Sequence, residues 1–175
     1  MIQNAPPRPH NFRPAQDIAR VILQGYAPAF AERKKRSTAA AKAGIAYERK
    51  VQTLLLGAFS RVYLPSPWFR FFDASGMRWC QPDGLFIYPA AGRVIIVEIK
   101  NSHTHEAWWK LHYLYRPVVQ WFFGQDWDVR MLEIVRWYDP NIQFPNAKLC
   151  AVPNSAPKPP EIGVHILNPR MGYTI

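Results

Sequence analysis

Residues 81–100 read QPDGLFIYPAAGRVIIVEIK, and this stretch decides the fold. It holds two apolar segments, 84–88 and 93–100, which are separated by turn residues at 90–92. Every position from 94 to 97 is apolar, which is typical of a central strand that is buried on both faces. The two segments are therefore predicted to form a β-hairpin at the centre of a sheet.

Three charged residues flank this hairpin. Glu98 and Lys100 are two positions apart on one strand, so their side chains point to the same face. Asp83 precedes the first strand, and closing the hairpin brings it towards Glu98. Charges at a sheet centre need partners that offset their desolvation. Two carboxylates can hold Mg²⁺ or Mn²⁺, and a lysine beside them can stabilise charge on a phosphate or orient a water. The pattern predicts metal-assisted phosphodiester hydrolysis.

A helix is predicted upstream, from Ser37 as N-cap to about residue 60. Its apolar stripe contains Gly44, Val51, Leu55, Ala58 and Val62, and the residues expected to lie to its sides are Tyr47, Arg49, Lys50 and Gln52. Glu48 falls on the same stripe, where a carboxylate is costly unless a cation meets it. An ion pair with a neighbouring Arg or Lys, or an edge position on the stripe, is the alternative to a role in the site.

The spacing Pro82-Asp83, fourteen residues, then Glu98-Ile99-Lys100 resembles the signature of the PD-(D/E)xK nuclease superfamily. This superfamily includes restriction endonucleases, archaeal-type Holliday-junction resolvases, lambda-type exonucleases and RecB-like nucleases. Glu48 matches the acidic residue on the first helix of many members. Ser75-Gly76 stands where junction resolvases tend to have Ser-Gly. The resemblance covers about residues 40–125 and implies an α/β fold: a restriction-endonuclease-like αβββαβ core, with a central mixed sheet flanked by helices.

The resemblance also implies roles for individual residues. Asp83 and Glu98 would bind Mg²⁺ or Mn²⁺ together with the backbone carbonyl of Ile99. Glu48 would ligate the metal directly or through water, and Lys100 would position the attacking water. The chain departs from lambda-type and RecB-like members because their Gln-x-x-x-Tyr pattern is reversed here, with Tyr113 and Tyr115 before Gln120. Gln120 is then either a phosphate contact or a polar residue on a half-buried helix.

Three segments are expected in the chain. Residues 1–36 form a basic arm with a short helix at 15–24, and residues 37–138 form the nuclease core. The core is expected to include strands at 68–72 and 127–138. It also includes a helix at 105–123, kinked by Pro117, with Trp109, Tyr113, Arg116 and Gln120 on one stripe. Residues 139–175 form a Pro-rich segment with an edge strand at 162–167.

The net charge of +10 predicts a polyanionic partner, and DNA is favoured. His103 and His105 lack a third ligand at suitable spacing, so a phosphate contact is favoured for His103 over a metal role. The predicted DNA-binding residues are Arg33, Lys34, Lys35, Arg36, Lys42, Arg49, His103 and Gln120.

The cysteines, Cys80 and Cys150, form no CxxC pair, which argues against a disulfide framework and a structural zinc. No signal peptide and no membrane span are visible, so a cytoplasmic setting is expected, in host cytoplasm if the chain is phage-encoded. A homo-oligomer is an open expectation, either a dimer as in resolvases or a trimer as in toroidal exonucleases.

The sequence thus predicts a divalent-metal-dependent deoxyribonuclease that serves DNA recombination, replication or degradation. Structure-selective endonuclease and exonuclease activity both stay open, as does DNA against RNA. The alternative is a catalytically inactive nucleic-acid-binding module on the same fold. What separates the two is the intact set Glu48, Asp83, Glu98 and Lys100, because carboxylates repel DNA unless a metal neutralises them.

Overall fold

The strand predicted at residues 93–100 lies at the centre of a six-stranded sheet. A computed structural model of the chain describes residues 5–32, 38–139 and 145–168. The strands are β1 (Arg20–Gln24), β2 (Tyr63–Pro65), β3 (Trp68–Asp73), β4 (Gly76–Cys80), β5 (Gly84–Tyr88), β6 (Arg93–Ser102), β7 (Asp128–Trp137), β8 (Ala147–Leu149) and β9 (Ile162–Ile166). The helices are α1 (Ala39–Phe59), α2 (His105–Lys110) and α3 (Arg116–Phe123), with a π-helical segment (Leu111–Tyr115) between the last two.

The large sheet is mixed, which confirms the predicted α/β class. Its strand order is β2-β5-β6-β7-β9-β8, with β2, β5 and β6 antiparallel and the β6-to-β8 part parallel. The predicted hairpin is present, and its register places Gly84 opposite Val97 and Leu85 opposite Ile96. The prediction of an apolar run buried on both faces is also confirmed, because residues 94–99 are all buried.

Helices cover both faces of this sheet. On one face, Val51 and Leu55 of α1 pack against Ile95 and Val97. On the other, Trp108 and the helical residues after it pack against Val94 and Ile96. Alternate residues of β6 therefore belong to two separate cores, which explains why its sequence shows no alternation.

The helix predicted from residue 37 is confirmed, with differences at its start and on its buried face. Thr38 is the N-cap, its side chain accepting from the Ala41 amide, while Ser37 lies outside the described residues. Tyr47 was expected to lie to the side of the stripe, but it is buried and its hydroxyl donates to the Leu167 carbonyl. Ala58 is exposed instead. The hydrogen bond to a carbonyl far away in sequence favours burial of Tyr47. Local periodicity does not report such a partner.

The second helix is continuous from residue 105 to 123, but its centre is a π-helical segment just before Pro117. Proline has no amide hydrogen to donate to the preceding turn, and the wider segment accommodates this loss. The predicted stripe through Trp109, Tyr113, Arg116 and Gln120 is wrong, since these residues are only half-buried. The buried residues are Ala107, Trp108, Leu111, His112, Tyr115, Val118 and Val119. Trp108, Tyr115 and Val119 each lie one residue before a predicted position, so the predicted stripe is offset by one position both before and after the π-helical segment.

The short helix predicted at residues 15–24 is wrong, because this segment contains strand β1. β1 pairs antiparallel with β3, and β3 pairs with β4, which makes a separate three-stranded sheet. Val21 is buried against Phe69 and Phe71 in the core. The β-branched residues Val21 and Ile22 suit a strand once a neighbouring edge is available to pair with.

The described residues near both ends of the chain contact the rest of the fold. In the N-terminal arm, the carbonyls of Pro6 and Pro7 accept from Trp109 Nε1, and Arg78 donates to the carbonyls of Arg13 and Pro14. The strand predicted at 162–167 is present as β9, but it is not at the edge. β8 pairs with it and forms the edge of the sheet, so the prediction that residues 139–160 are loop throughout is wrong.

Both cysteines are free, as the sequence predicts: Cys80 is buried and Cys150 half-buried. Within residues 5–32, 38–139 and 145–168, no helix combines the length and the apolar character needed to span a membrane.

The buried His112 in the π-helical segment predicts acid sensitivity. Burial, and next the charge of Arg116, lower the pKa of His112 to about 4, whereas the pKa in the unfolded chain is near 6.5. The stabilisation that this neutral imidazole contributes is therefore present above pH 6.5 and lost as the pH falls through 4. We expect the unfolding free energy to fall by about 3 kcal/mol across this window, measured by urea titration.

Asparagine at position 112 cannot titrate, so His112→Asn should flatten this part of the pH profile. His10→Asn, the same change at an exposed histidine, should leave the profile as in the wild type. An unchanged slope in His112→Asn would show that other groups cause the acid sensitivity.

Candidate active site

Asp83, Glu98 and Lys100 come together where the hairpin begins. Because Gly84 is opposite Val97, Asp83 lies beside Glu98 at the next position of the register. Asp83 Oδ2 accepts a hydrogen bond of 2.6 Å from the Ile99 amide. Lys100 Nζ is 2.6 Å from Glu98 Oε1 and 4.0 Å from Asp83 Oδ2. The structure therefore brings together the three residues at the centre of the predicted site.

The site holds more carboxylate charge than its lysine neutralises. Burial, reinforced by the charges of Glu98 and Glu48, raises the pKa of Asp83 to about 8, although Lys100 and the Ile99 amide oppose the shift. Burial alone would lower the pKa of Lys100, but Glu98 and Asp83 raise it above its ordinary value. A carboxyl group with a raised pKa beside a second buried carboxyl group indicates a position where a bound cation would be stabilising.

Glu98 is the most buried member of the group, with 1% of its side chain exposed. Its Oε1 carries the contact with Lys100, and Lys110 Nζ of α2 lies 3.9 Å from the same oxygen. Its Oε2 is buried and has no hydrogen-bond partner in the described part of the chain. A buried, unsatisfied carboxylate oxygen is costly in a resting structure, and such an atom is suited to ligate a cation.

Glu48 reaches this group through Gln52, one helical turn further along α1. Gln52 Nε2 donates to Glu48 Oε1 at 3.4 Å, to Ser66 Oγ at 2.8 Å and to the Asp83 carbonyl at 3.0 Å. Burial, the largest cause, raises the pKa of Glu48. Glu48 is thus connected to the Asp83 segment by an amide that the sequence analysis placed to the side of the helix.

Two tyrosines hold the backbone that carries Asp83. Tyr63 donates to the Asp83 carbonyl at 3.3 Å, and Tyr115 donates to the Gln81 carbonyl at 3.1 Å. Both rings are buried. These bonds position Asp83 from two sides, one from β2 and one from the helical layer.

Gly84 makes this support sensitive to a single methyl group. A Cβ at position 84 would lie 2.6 Å from Cζ of Tyr63, too close for the ring to stay in place. We expect Gly84→Ala to lower the unfolding free energy by about 1–3 kcal/mol in urea titrations.

Gly57 of α1 offers the matched control, because a Cβ there meets nothing within 4 Å. Gly57→Ala should raise the unfolding free energy by about 0.5–1 kcal/mol, since alanine favours the helix. A Gly84→Ala protein as stable as the wild type would contradict the close packing of Tyr63 on this strand.

Only some of the predicted DNA-binding cations belong to the described part of the chain. Lys42 and Arg49 are exposed on α1, the helix that carries Glu48. Arg33, Lys34, Lys35 and Arg36 lie outside the described residues, so their proposed role stays a prediction.

His103 and Gln120 have internal partners. His103 is buried, and its Nδ1 makes a short contact with Oε2 of the buried Glu133. Gln120 Nε2 donates to the carbonyls of Gly124 and Trp127. These contacts favour structural roles over the predicted phosphate contacts. Glu133 is the register partner of Glu98 on β7, so the His103–Glu133 pair lies directly beside the site.

The oxygen atoms that suit a divalent cation are the carboxylates of Asp83 and Glu98 and the Ile99 carbonyl. Within the described ranges, no group of three or more His, Cys, Asp or Glu side chains is placed to hold a metal ion. Mg²⁺ is commonly bound through one or two carboxylates, with water and substrate phosphates completing its shell, so two carboxylates are compatible with it.

Sequence reasoning missed Gln52, Tyr63, Ser66 and Lys110. Of these, only Gln52 had a local signal, because it lies four residues after Glu48 on the same helical face. Tyr63, Ser66 and Lys110 come from other elements of the fold. Sequence periodicity does not report which distant elements meet at the site. When the chain is compared with models of protein families, with curated proteins and with solved structures, no match is found in any of the three.

Proposed function

We propose that this protein is a divalent-metal-dependent nuclease that hydrolyses phosphodiester bonds of DNA. The observation that carries the proposal is the cluster of Asp83, Glu98 and Lys100, with a buried Glu98 oxygen that lacks a partner in the described residues. A carboxylate oxygen without a partner beside a second carboxylate whose pKa is raised is an arrangement that a bound cation would stabilise.

The order of elements supports the same proposal. α1 is followed by β2, β5 and β6 as an antiparallel set, then by the helical layer, then by β7 parallel to β6. This order is compatible with the αβββαβ core that the PD-(D/E)xK resemblance implies, with the β3–β4 hairpin inserted between β2 and β5. The position of Asp83 before β5 and of Glu98 on β6 is consistent with the metal-ligand role that the resemblance implies, and it supports the proposal.

Each residue has a role that follows from its chemistry. Asp83, Glu98 and the Ile99 carbonyl would hold Mg²⁺ or Mn²⁺, with Glu48 contributing directly or through water. The cation, when bound, supplies Lewis acidity towards the scissile phosphate and the attacking water. Lys100 places a positive charge beside the carboxylates, where it stabilises the negative charge that builds on the phosphate oxygens. Gln52, Tyr63 and Tyr115 hold the Asp83 segment in position.

DNA as the substrate rests on the charge of the chain and on the exposed cations near the site. The net charge is +10, and Lys42 and Arg49 extend from the helix that carries Glu48. An inactive DNA-binding module on this fold is the second candidate, since the same charge would serve it. Such a module gains no binding energy, however, from carboxylates at a position that DNA phosphates approach, because like charges repel.

The test is a cleavage assay of the purified protein with Mg²⁺, Mn²⁺ or EDTA. The substrates are single-stranded, linear duplex, supercoiled and four-way-junction DNA. Glu98→Gln removes one charge without changing side-chain length and should abolish metal-dependent cutting. Glu161→Gln is the matched control, because Glu161 is exposed and its ion-pair partner, Lys148, lies outside the site cluster.

Metal-dependent cutting that Glu98→Gln abolishes and Glu161→Gln retains would support the nuclease. Tight DNA binding with no cutting in either metal would overturn it in favour of the binding module. The preferred substrate would separate a structure-selective endonuclease from an exonuclease.

A further inference from the structure

A second cavity adjoins the proposed active site. It has a volume of about 360 Å³ and lies between two chain segments, residues 23–27 and residues 64–68. Its volume falls in the range of sites that hold small organic ligands, about 300–1,000 Å³. Tyr26 and Trp68 contribute aromatic rings to its wall, while Gln24 and Ser66 contribute polar groups.

Ser66 connects this cavity to Asp83. Its amide donates to the Asp83 carbonyl at 3.0 Å, and its carbonyl accepts from Gln81 Nε2 at 3.0 Å. Its hydroxyl accepts from Gln52, which also holds the Asp83 carbonyl. Ser66 has a φ of 44°, in the left-handed region that serine rarely adopts. A strained residue held by several bonds next to a reactive group points to a shaped binding surface.

The two aromatic residues of the cavity differ in their surroundings: Trp68 contacts other rings, whereas Tyr26 is exposed. Trp68 makes edge-on contacts with Phe30 and Trp79, at ring-centre distances of 6.2 and 6.3 Å. Tyr26 is 66% exposed and lines the same cavity as Trp68, so its side chain is accessible to a ligand there. A fixed tryptophan beside an exposed tyrosine is a suitable surface for stacking a flat, apolar ring.

The charge around this surface favours a ligand that carries phosphate. Arg70 follows Trp68 by two residues on β3, so both side chains lie on the same face of the small sheet. The Arg70 guanidinium lies 5.8 Å from the centre of the Trp79 ring, which in turn contacts Trp68, so a cation lies beside the aromatic cluster. Aromatic rings with a cation beside them form a combination that binds unpaired nucleotides.

We infer that this cavity binds one unpaired base of the DNA strand that the Asp83–Glu98–Lys100 site cuts. The inference rests on the proposed function and narrows its substrate to DNA with a single-stranded or splayed nucleotide beside the scissile bond. A base inside a duplex is stacked and paired, so it cannot enter a cavity of this size. The base stacks on Tyr26 and Trp68, and Ser66 links its position to that of Asp83.

The test measures binding with Ca²⁺ in place of Mg²⁺, so that a cation neutralises the carboxylates while the quantity measured is affinity and not cleavage. Labelled single-stranded oligonucleotides, each lacking the base of one nucleotide, are titrated by fluorescence anisotropy against the full-length protein. For the wild type, we expect affinity to fall about tenfold when the missing base is the one that occupies the cavity, and to change little elsewhere. Tyr26→Ala should bind the intact strand about tenfold more weakly and show no further loss at that position.

Tyr26→Phe keeps the ring and should behave as the wild type. Trp137→Ala removes a similarly exposed ring outside the cavity and should not change the dependence on base position. Equal affinity for intact and base-free strands at every position would overturn the inference. So would an unchanged position dependence in Tyr26→Ala. Absence of cleavage when Mg²⁺ or Mn²⁺ replaces Ca²⁺ would count against the proposed nuclease alone, because the binding series does not depend on cleavage.

Discussion

Replacing Lys100 with alanine should reduce the rate of metal-dependent DNA cleavage by about 10²–10³-fold, the loss typical when one preorganised charge-stabilising group is removed. Lys100 Nζ is within 4.0 Å of both Asp83 and Glu98, so it lies where negative charge builds during hydrolysis. Single-turnover cleavage with saturating Mg²⁺ or Mn²⁺ measures the effect on the chemical step.

Two further variants make this result specific. Lys100→Met keeps an unbranched stem of similar packing and should lose as much activity as Lys100→Ala, because the missing group is the charge. Lys148→Ala removes a lysine whose side chain is 64% exposed, and it should cut at the wild-type rate. Cleavage by Lys100→Met within a factor of a few of the wild type would show that the ammonium group has no part in the chemistry.

The largest effect on stability is expected at the buried pair of His103 and Glu133. Their side chains are 2% and 0% exposed, and their short contact lies between β7 and the residues that follow β6. His103→Ala leaves the Glu133 carboxyl buried without this partner, which typically costs about 3–5 kcal/mol. Denaturation in urea measures the loss, which is a large part of the 5–15 kcal/mol stability of an ordinary domain.

Removing both members of this pair should be far less harmful than removing one. In the double variant His103→Leu/Glu133→Met, apolar groups replace both partners, so no buried carboxyl is left unsatisfied, and the stability should return close to that of the wild type. A His103→Ala protein within about 1 kcal/mol of the wild type would show that water or another group satisfies Glu133.

The two groups of variants are compared in both cleavage rate and stability. Glu133 is beside Glu98 in the register, so loss of the pair is expected to disturb the position of Glu98 as well as the fold. Lys100 variants remove the 2.6 Å partner of the buried Glu98 carboxyl, so they are expected to lose some stability together with activity. Their cleavage rates are therefore measured under conditions in which urea titration shows each variant to be folded.

The central hairpin and the charged cluster were predictable from residues 81–100 because their signals are local. An apolar run on both faces of a strand indicates a sheet centre, and the spacing of two between Glu98 and Lys100 places them on one face. The position of Asp83 follows from closing the hairpin. The α/β class was implied by the resemblance to the PD-(D/E)xK superfamily, and the mixed sheet with helices on both faces confirms this class.

Other features depended on partners far away in sequence. Residues 15–24 contain a strand because β3 offers an edge to β1, and Tyr47 is buried because its hydroxyl meets the Leu167 carbonyl. The buried face of the second helix lies one position before the predicted stripe, because Trp108 and the residues that follow it meet Val94 and Ile96 of β6. None of these partners is within the range that helix or strand periodicity reports.

By itself, the sequence determined which residues form the sheet centre and which charged groups share a face there. Only the tertiary structure decided that Gln52 links Glu48 to the Asp83 segment, that His103 pairs with Glu133, and that Ser66 joins an aromatic cavity to the site. The physical reason is that periodicity records whether a side chain faces inward. It carries no information on which distant group that side chain meets.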